Sequence, residues 1–119
     1  MVVQKWVAFI IIMKGRFYFM AMCIINGDLY NNGKSSELKI GIGSECRIQA
    51  TGTGSFQVVG KLTANGTEKL LKLVSLSDYS TATTITTTDI YEGDVSGLYS
   101  ISVKNVTGFT KIYATVIAY

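Results

Sequence analysis

The chain has 119 residues, of which 48% are hydrophobic and only 16% charged, and its formal net charge is +3. This length suits one domain with its own core, and a mild positive charge without a Lys/Arg cluster argues against a nucleic-acid partner. The chain contains no histidine and two cysteines, which excludes Ser–His and Cys–His nucleophile pairs and leaves too few thiolates for a structural zinc site. We therefore expect no enzyme, no cofactor and no bound metal.

The first 25 residues consist mainly of two apolar runs, 6–13 and 17–25, separated by Lys14, Gly15 and Arg16. Two cations between the runs disfavour a membrane-spanning helix. A signal peptide requires a small-residue cleavage site after its apolar run, and none follows the first run here. Both runs are rich in β-branched and aromatic residues, which predicts a β-hairpin or a β-arm. A buried or membrane-facing helix is the alternative.

An apolar arm of this kind is too hydrophobic on both faces to remain in contact with water, so we expect neighbouring subunits to cover it. The predicted interface combines the large side chains of the arm with two tyrosines of the last strand. These residues are Trp6, Phe9, Ile11, Phe17, Tyr18, Phe19, Tyr113 and Tyr119.

The rest of the chain alternates between apolar and polar residues in short runs, which is typical of half-buried strands. The predicted strands include residues 35–42, 45–50 and 55–62, and residues 68–76 fit a strand better than a helix. Residues 78–88 fit a polar edge strand or a loop. The predicted turns, marked by Asn, Asp or Gly, are at residues 26–28, 31–33, 51–54, 65–66 and 105–108.

The C-terminal region shows the clearest strand pattern. Tyr99, Ile101 and Val103 fall on one face, and after the predicted turn at residues 105–108 a second strand runs from residue 109 to the end. About eight strands at roughly ten-residue spacing predict an all-β fold, either a sandwich or a barrel, and we favour an antiparallel β-sandwich resembling a jelly roll. The predicted division is an arm or hairpin at residues 1–26 and a β-sandwich domain at 27–119.

A few residues allow specific chemistry to be considered. Glu92 and Asp94 share one face of a strand, where a pair of carboxylates can cleave a glycosidic bond or, with Asp89, bind calcium. A solvated strand end is the preferred interpretation. Cys23 and Cys46 permit one disulfide bond, but two free thiols in strands are favoured.

In the C-terminal third, a Thr-rich stretch at residues 83–88 is followed by Gly97, Tyr99, Ile101 and Val103, and then by the final strand. This pattern resembles a β-sandwich module of tailed-phage virion proteins. The resemblance implies a structural protein of the virion, either head decoration or a tail or baseplate component, that assembles as a homo-oligomer with other virion subunits. It transfers no catalytic residue.

Two other functions are compatible with the sequence. Five tyrosines occur in the C-terminal third, and such side chains suit a carbohydrate-binding module that recognises cell-surface glycans. They are Tyr79, Tyr91, Tyr99, Tyr113 and Tyr119. A small membrane-associated protein anchored by residues 1–25 is the other alternative, although a membrane partner is less favoured than assembly. Deletion of residues 1–25 is expected to leave a soluble but unassembled domain.

Overall fold

The computed structural model of the chain describes the backbone of residues 2–13, 16–41 and 43–118, and the side chains of residues 24–41 and 43–117. Every strand pairing in these ranges is antiparallel, and they contain no helix, which confirms the predicted all-β class. The strands in chain order are β1 (Val2–Met13), β2 (Arg16–Asn31), β3 (Lys34–Ser35), β4 (Leu38–Lys39), β5 (Glu45–Lys61), β6 (Lys69–Leu70), β7 (Leu73–Ser75), β8 (Thr81–Ala82), β9 (Thr84–Ile85), β10 (Tyr91–Asp94) and β11 (Ser100–Ala118).

These strands belong to one curled sheet with the order β1-β2-β11-β5-β10-β7-β8. The four remaining short strands attach to β2, β5 and β11. The all-β antiparallel prediction is thus correct, whereas the finer description as a two-sheet sandwich or jelly roll stays a prediction. The sheet contains more strands than the eight expected, because several are only two residues long.

The two longest strands, β5 and β11, form the centre of the sheet. Their register runs from Ser100 opposite Lys61 to Ile117 opposite Glu45. The edge of β5 that faces away from β11 pairs with β10, β9 and β6. The edge of β11 that faces away from β5 pairs with β2 and β4. The central pair therefore has two halves along its length, one flanked by β10 and β2 and the other by β9, β6 and β4.

The halves meet where both central strands bend. The register between them shifts at several points between Lys104 and Lys111. Gly52 and Gly54 on β5 and Asn105 and Gly108 on β11 have positive φ angles of 115°, 156°, 56° and 74°. Bulges of this kind increase strand twist and allow one strand to pass from one part of a sheet to another.

This bend corrects two sequence predictions. Residues 51–54 and 105–108 were expected to be turns that end strands, but both lie inside continuous strands and face each other across the sheet. Glycine and left-handed asparagine produce the same sequence signal in a bulge as in a turn. The predicted division of the C-terminal region into two strands joined by a turn is wrong for the same reason, since both segments belong to β11 and pair with β5.

The core lies on the concave side of the curled sheet. The rings of Phe56 and Phe109 meet edge to face across the bend, with centroids 5.3 Å apart and an interplanar angle of 85°. Residues from both halves are fully buried around them, including Leu29, Ile48, Val58, Ile101, Ile112 and Val116. Aromatic pairs in this geometry add about 0.5–1.5 kcal/mol to the gain from burial.

The remaining turn predictions have different outcomes: one is wrong and two are confirmed. Residues 26–28 lie within β2, so that predicted turn is wrong. The turn at Asn32 and Gly33 is confirmed by positive φ angles of 46° and 90°. A hairpin around residues 65–66 is also confirmed, because β5 pairs with β6 through Val59 and Leu70, although its loop is longer than two residues.

Replacing Gly54 with alanine is expected to destabilise the protein by about 3 kcal/mol. A Cβ at this position would overlap the backbone carbonyl of Thr107, and its φ of 156° is unfavourable for alanine. The free energy of unfolding in urea measures the change.

The matched control is Gly41→Ala, because a Cβ at Gly41 meets no atom within 4 Å. This variant is expected to stay within about 0.5 kcal/mol of the original protein. Equal stability of the two variants would contradict the role given to the bend.

Candidate functional site

The N-terminal hairpin extends beyond the rest of the sheet. β1 and β2 pair from Val2 opposite Gly27 to Met13 opposite Arg16. β11 pairs with β2 only from Asn31 to Cys23. In the described part of the chain, residues 16–22 of β2 therefore have a strand on one side only, and β1 has no strand at its outer edge. We call residues 2–13 and 16–22 the ribbon.

The ribbon contains six of the residues predicted to form an interface. Trp6, Phe9 and Ile11 lie on β1, and Phe17, Tyr18 and Phe19 lie on β2, with backbone pairs that include Ile11 with Tyr18. Their side chains lie outside the described ranges, as does Tyr119. The eighth residue, Tyr113, lies on the outer face of the sheet opposite Asp28 of β2 and is 40% exposed.

The sequence of the ribbon is unusual for an isolated pair of strands. Six consecutive pairs, from Val7 opposite Met22 to Ile12 opposite Phe17, contain no charged residue. Alternate residues of a strand belong to opposite faces, and both alternating sets are apolar here. A two-stranded ribbon is only marginally stable in water by itself. A ribbon of this sequence would therefore gain stability from contact with another apolar surface.

The formal net charge of the chain comes from its first 22 residues. Lys5, Lys14 and Arg16 are the basic residues there, and no acidic residue precedes Asp28. The other eight basic residues balance the eight acidic residues, so the rest of the chain is formally neutral. No helix in the described residues is long and apolar enough to cross a membrane.

A second surface is an open groove of about 560 Å³ beside β10. The carboxylates of Glu45, Glu92 and Asp94 line it together with Lys72 and Tyr79. The register of β5 and β10 causes this grouping, since Glu92 lies opposite Arg47 and Asp94 lies opposite Glu45. Of these acidic residues, Glu45 was missed in the sequence because its contribution depends on pairing between distant strands.

The carboxylates of the groove have different environments. A hydrogen bond with Glu92 raises the pKa of Glu45, and partial burial adds to this effect. Arg47 opposes it weakly, with Nη2 at 3.9 Å from Glu45 and 3.7 Å from Glu92. By contrast, the N–H and hydroxyl of Ser96 lower the pKa of Asp94. The pair Glu45–Glu92 therefore carries repulsion at neutral pH, whereas hydrogen bonds from Ser96 stabilise the charged form of Asp94.

The residue proposed to join Glu92 and Asp94 in calcium binding has other contacts. The carboxylate of Asp89 accepts hydrogen bonds from the hydroxyls of Ser77 and Thr87, at 3.3 and 3.2 Å. Among the described residues, no three acidic, cysteine or histidine side chains are arranged to hold a metal ion. The geometry therefore gives the calcium interpretation no support.

Three described tyrosines of the C-terminal third, Tyr79, Tyr91 and Tyr113, do not form one surface. Tyr79 is 77% exposed at the groove, whereas Tyr91 is buried and its hydroxyl lies 2.8 Å from that of Thr87. Tyr113 is 40% exposed, and the ammonium of Lys111 lies 5.8 Å from its ring centroid. A continuous aromatic platform for a glycan is therefore not formed by Tyr79, Tyr91 and Tyr113.

Cys46 is a buried free thiol on β5, as predicted for that residue. Burial raises its pKa to about 11, so it stays protonated and unreactive at neutral pH. The side chain of Cys23 lies outside the described ranges. Cys46 therefore contributes to packing rather than to chemistry.

A third surface is an apolar cleft at the opposite end of β5 from the ribbon. Leu71 and Leu98 line it above Gly60, and Leu62 at its rim is 73% exposed. Its volume of about 350 Å³ lies at the lower end of the range for ligand pockets. We assign it no ligand.

The fold is similar to that of two solved proteins from prophages. The SPBc2 prophage-derived protein YomS matches 98% of this chain and 96% of its own length, with 15% identity and a TM-score of 0.64. The PBSX exported protein XepA matches 89% of this chain with 17% identity and a TM-score of 0.74, but the match covers 42% of XepA. No family model and no curated protein matches the sequence. At these identities the likeness establishes the fold alone.

Glu45→Gln is expected to raise stability at neutral pH by up to about 0.5 kcal/mol, because it removes the repulsion and keeps a hydrogen-bonding group. The raised pKa means that the contact stabilises the fold below the ordinary pKa of 4.5 and that this stabilisation is lost as pH rises through the folded-state pKa. Urea unfolding across the acidic range should therefore show a flatter profile for the variant.

Asp94→Asn is the matched control with the opposite sign. A lowered pKa stabilises the fold above the ordinary value and is lost in acid. This variant should therefore be less stable than the original protein at neutral pH. If both substitutions changed stability in the same direction, the charge arrangement described for the groove would be wrong.

Proposed function

We propose that this chain is a structural protein of a bacteriophage or prophage particle that acts by assembling with copies of itself. The ribbon is the observation that carries the proposal. It presents an apolar sequence on both alternating sets of residues, and it extends beyond the end of β11 with unpaired edges in the described part of the chain. The likeness to two prophage proteins supports the phage setting.

Hydrophobic burial supplies the driving force in this mechanism. Each large apolar side chain that becomes fully buried contributes about 1.5–3 kcal/mol. The six central pairs of the ribbon contain enough such residues to offset the cost of association. The unpaired edges of β1 and of residues 16–22 offer backbone hydrogen bonds to a neighbouring strand as well. The proposal includes a location in the virion and a role in either its head or its tail.

Removal of residues 1–22 tests the mechanism. The cut lies there because β2 pairs with β11 from Cys23 onward, and Ile25 is 5% exposed within the core, so deletion through residue 25 would damage the domain itself. Size-exclusion chromatography with light scattering is expected to show an oligomer for the full chain and a monomer for the truncated one. Circular dichroism confirms that the strands persist.

A matched pair of substitutions separates the ribbon from the general surface. Phe19→Lys places a cation among the apolar pairs of the ribbon and is expected to reduce the oligomer mass. Leu62→Lys changes a leucine that is 73% exposed in a distant loop and should leave the mass unchanged. A monomeric full chain, or an oligomer that survives truncation, would exclude assembly through the ribbon.

Salt distinguishes self-assembly from binding to an anionic membrane. Lys5, Lys14 and Arg16 repel their counterparts in other copies, so raising the salt from about 0.1 to 1 M, which shortens the screening length from about 10 to 3 Å, should strengthen assembly. Binding to anionic vesicles should instead weaken with salt. Vesicle flotation of the full chain provides the second measurement.

Carbohydrate binding is the second candidate, and the groove beside β10 is the observation that favours it. Tyr79 is 77% exposed there, next to carboxylates that can accept hydrogen bonds from sugar hydroxyls. A glycan array is expected to show binding that disappears with Tyr79→Ala and persists with Tyr113→Ala. An array without any binding by the full chain would rule out this candidate.

A further inference from the structure

The sequence contains three Asn-Gly pairs, Asn26-Gly27, Asn32-Gly33 and Asn65-Gly66, and the fold treats them differently. In such a pair the backbone nitrogen of glycine can attack the side-chain carbonyl carbon of asparagine. Glycine permits the approach because it has no Cβ. All three pairs have the same local sequence chemistry, so differences between them come from structure.

We infer that Asn65 is a site of spontaneous deamidation in the folded protein. The Gly66 nitrogen forms a bond to the Asn65 side-chain carbon and loses its proton, and the amide nitrogen leaves as ammonia. Water then opens the resulting succinimide ring at one of its two C–N bonds, which yields aspartate or isoaspartate. The reaction consumes water and releases ammonia, and it requires no catalyst or cofactor.

The surroundings of Asn65 permit this reaction in the folded protein. Asn65 is exposed in the loop of residues 62–68 between β5 and β6. The attacking nitrogen of Gly66 is held by a hydrogen bond of 3.0 Å to the carbonyl of Thr63 in the same loop. Loops held by so few bonds open at little cost, so the reactive geometry is accessible without unfolding the domain.

Asn26 lies at the opposite extreme. It belongs to β2, where Val3 of β1 and Thr115 of β11 pair with it on either side. Gly27 is buried and lies in the same ladder. Its nitrogen can reach the Asn26 side chain only if the sheet opens, which costs a large part of the free energy of unfolding.

Asn32 is intermediate. It is exposed, but it lies in a two-residue turn closed by the pair of Asn31 and Lys34. Its N–H also donates to the carbonyl of Thr110 at 2.8 Å, which ties the turn to β11. The backbone rearrangement that ring closure needs must therefore break contacts on both sides of the turn.

The product changes the surface of the apolar cleft. Gly66 and Thr67, next to Asn65, line that cleft with Leu62 and Leu98. Deamidation places a carboxylate beside it and lowers the formal net charge from +3 by one. The inference does not depend on the proposed function, because it concerns a loop at the far end of β5 from the ribbon.

Peptide mapping by mass spectrometry of the full chain, aged in mildly alkaline buffer, tests the inference. Deamidation at Asn65 is expected to be at least about tenfold faster than at Asn26, with Asn32 between them. In strong denaturant the three rates should converge, because the protection comes from the fold. Asn65→Gln should abolish the early product and leave the slow ones unchanged.

Other outcomes overturn the inference. Equal rates at Asn65 and Asn26 in the folded protein would show that the loop is as protected as the sheet. A rate order that persists in denaturant would show that local sequence, and not the strand ladder, controls the reaction.

Discussion

The contact of two bent strands at their glycines determines the form of this protein. At Gly54 and Gly108 the backbones of β5 and β11 approach so closely that a Cβ on either would overlap the opposite carbonyl. Because the bend is shared, both strands turn together and keep their pairing in each half of the sheet. The core follows from this arrangement, since the bend brings Phe56 and Phe109 into contact and closes the concave side over the residues between them.

The sequence predicted the strands better than their connections. Alternation of apolar and polar residues identifies a face directly, and Ile48, Ile101 and Ile112 are buried as that pattern requires. Glycine clusters do not distinguish a chain that reverses from one that bends and continues, because both need positive φ. The distinction depends on which strand lies opposite. Here the two opposing segments, residues 51–54 and 105–108, are about half of the chain apart in sequence.

The candidate surfaces show the same limit. The apolar ribbon was predictable because its signal is local: two charge-free runs with cations between them. The groove was not, since it arises from the register that sets Asp94 opposite Glu45 and Glu92 opposite Arg47. Among the described tyrosines of the C-terminal third, Tyr79 alone lines the groove, and the hydroxyl of Tyr91 forms a hydrogen bond with that of Thr87. Aromatic composition alone therefore indicates a surface without locating it.

The ribbon is not a loosely attached tail, because β2 is shared between it and the domain. Residues 23–31 of β2 pair with β11, and residues 16–22 continue the same strand beyond it. Because β2 is one continuous strand, the orientation of the ribbon depends on the orientation of the central sheet and therefore on the bend. Neighbouring copies that bury their ribbons would consequently be held at a defined angle to one another. The neutral charge of the remaining chain suits this arrangement, since long-range repulsion between domains is small. The same glycines that close the core would in this way also set the geometry of an assembly.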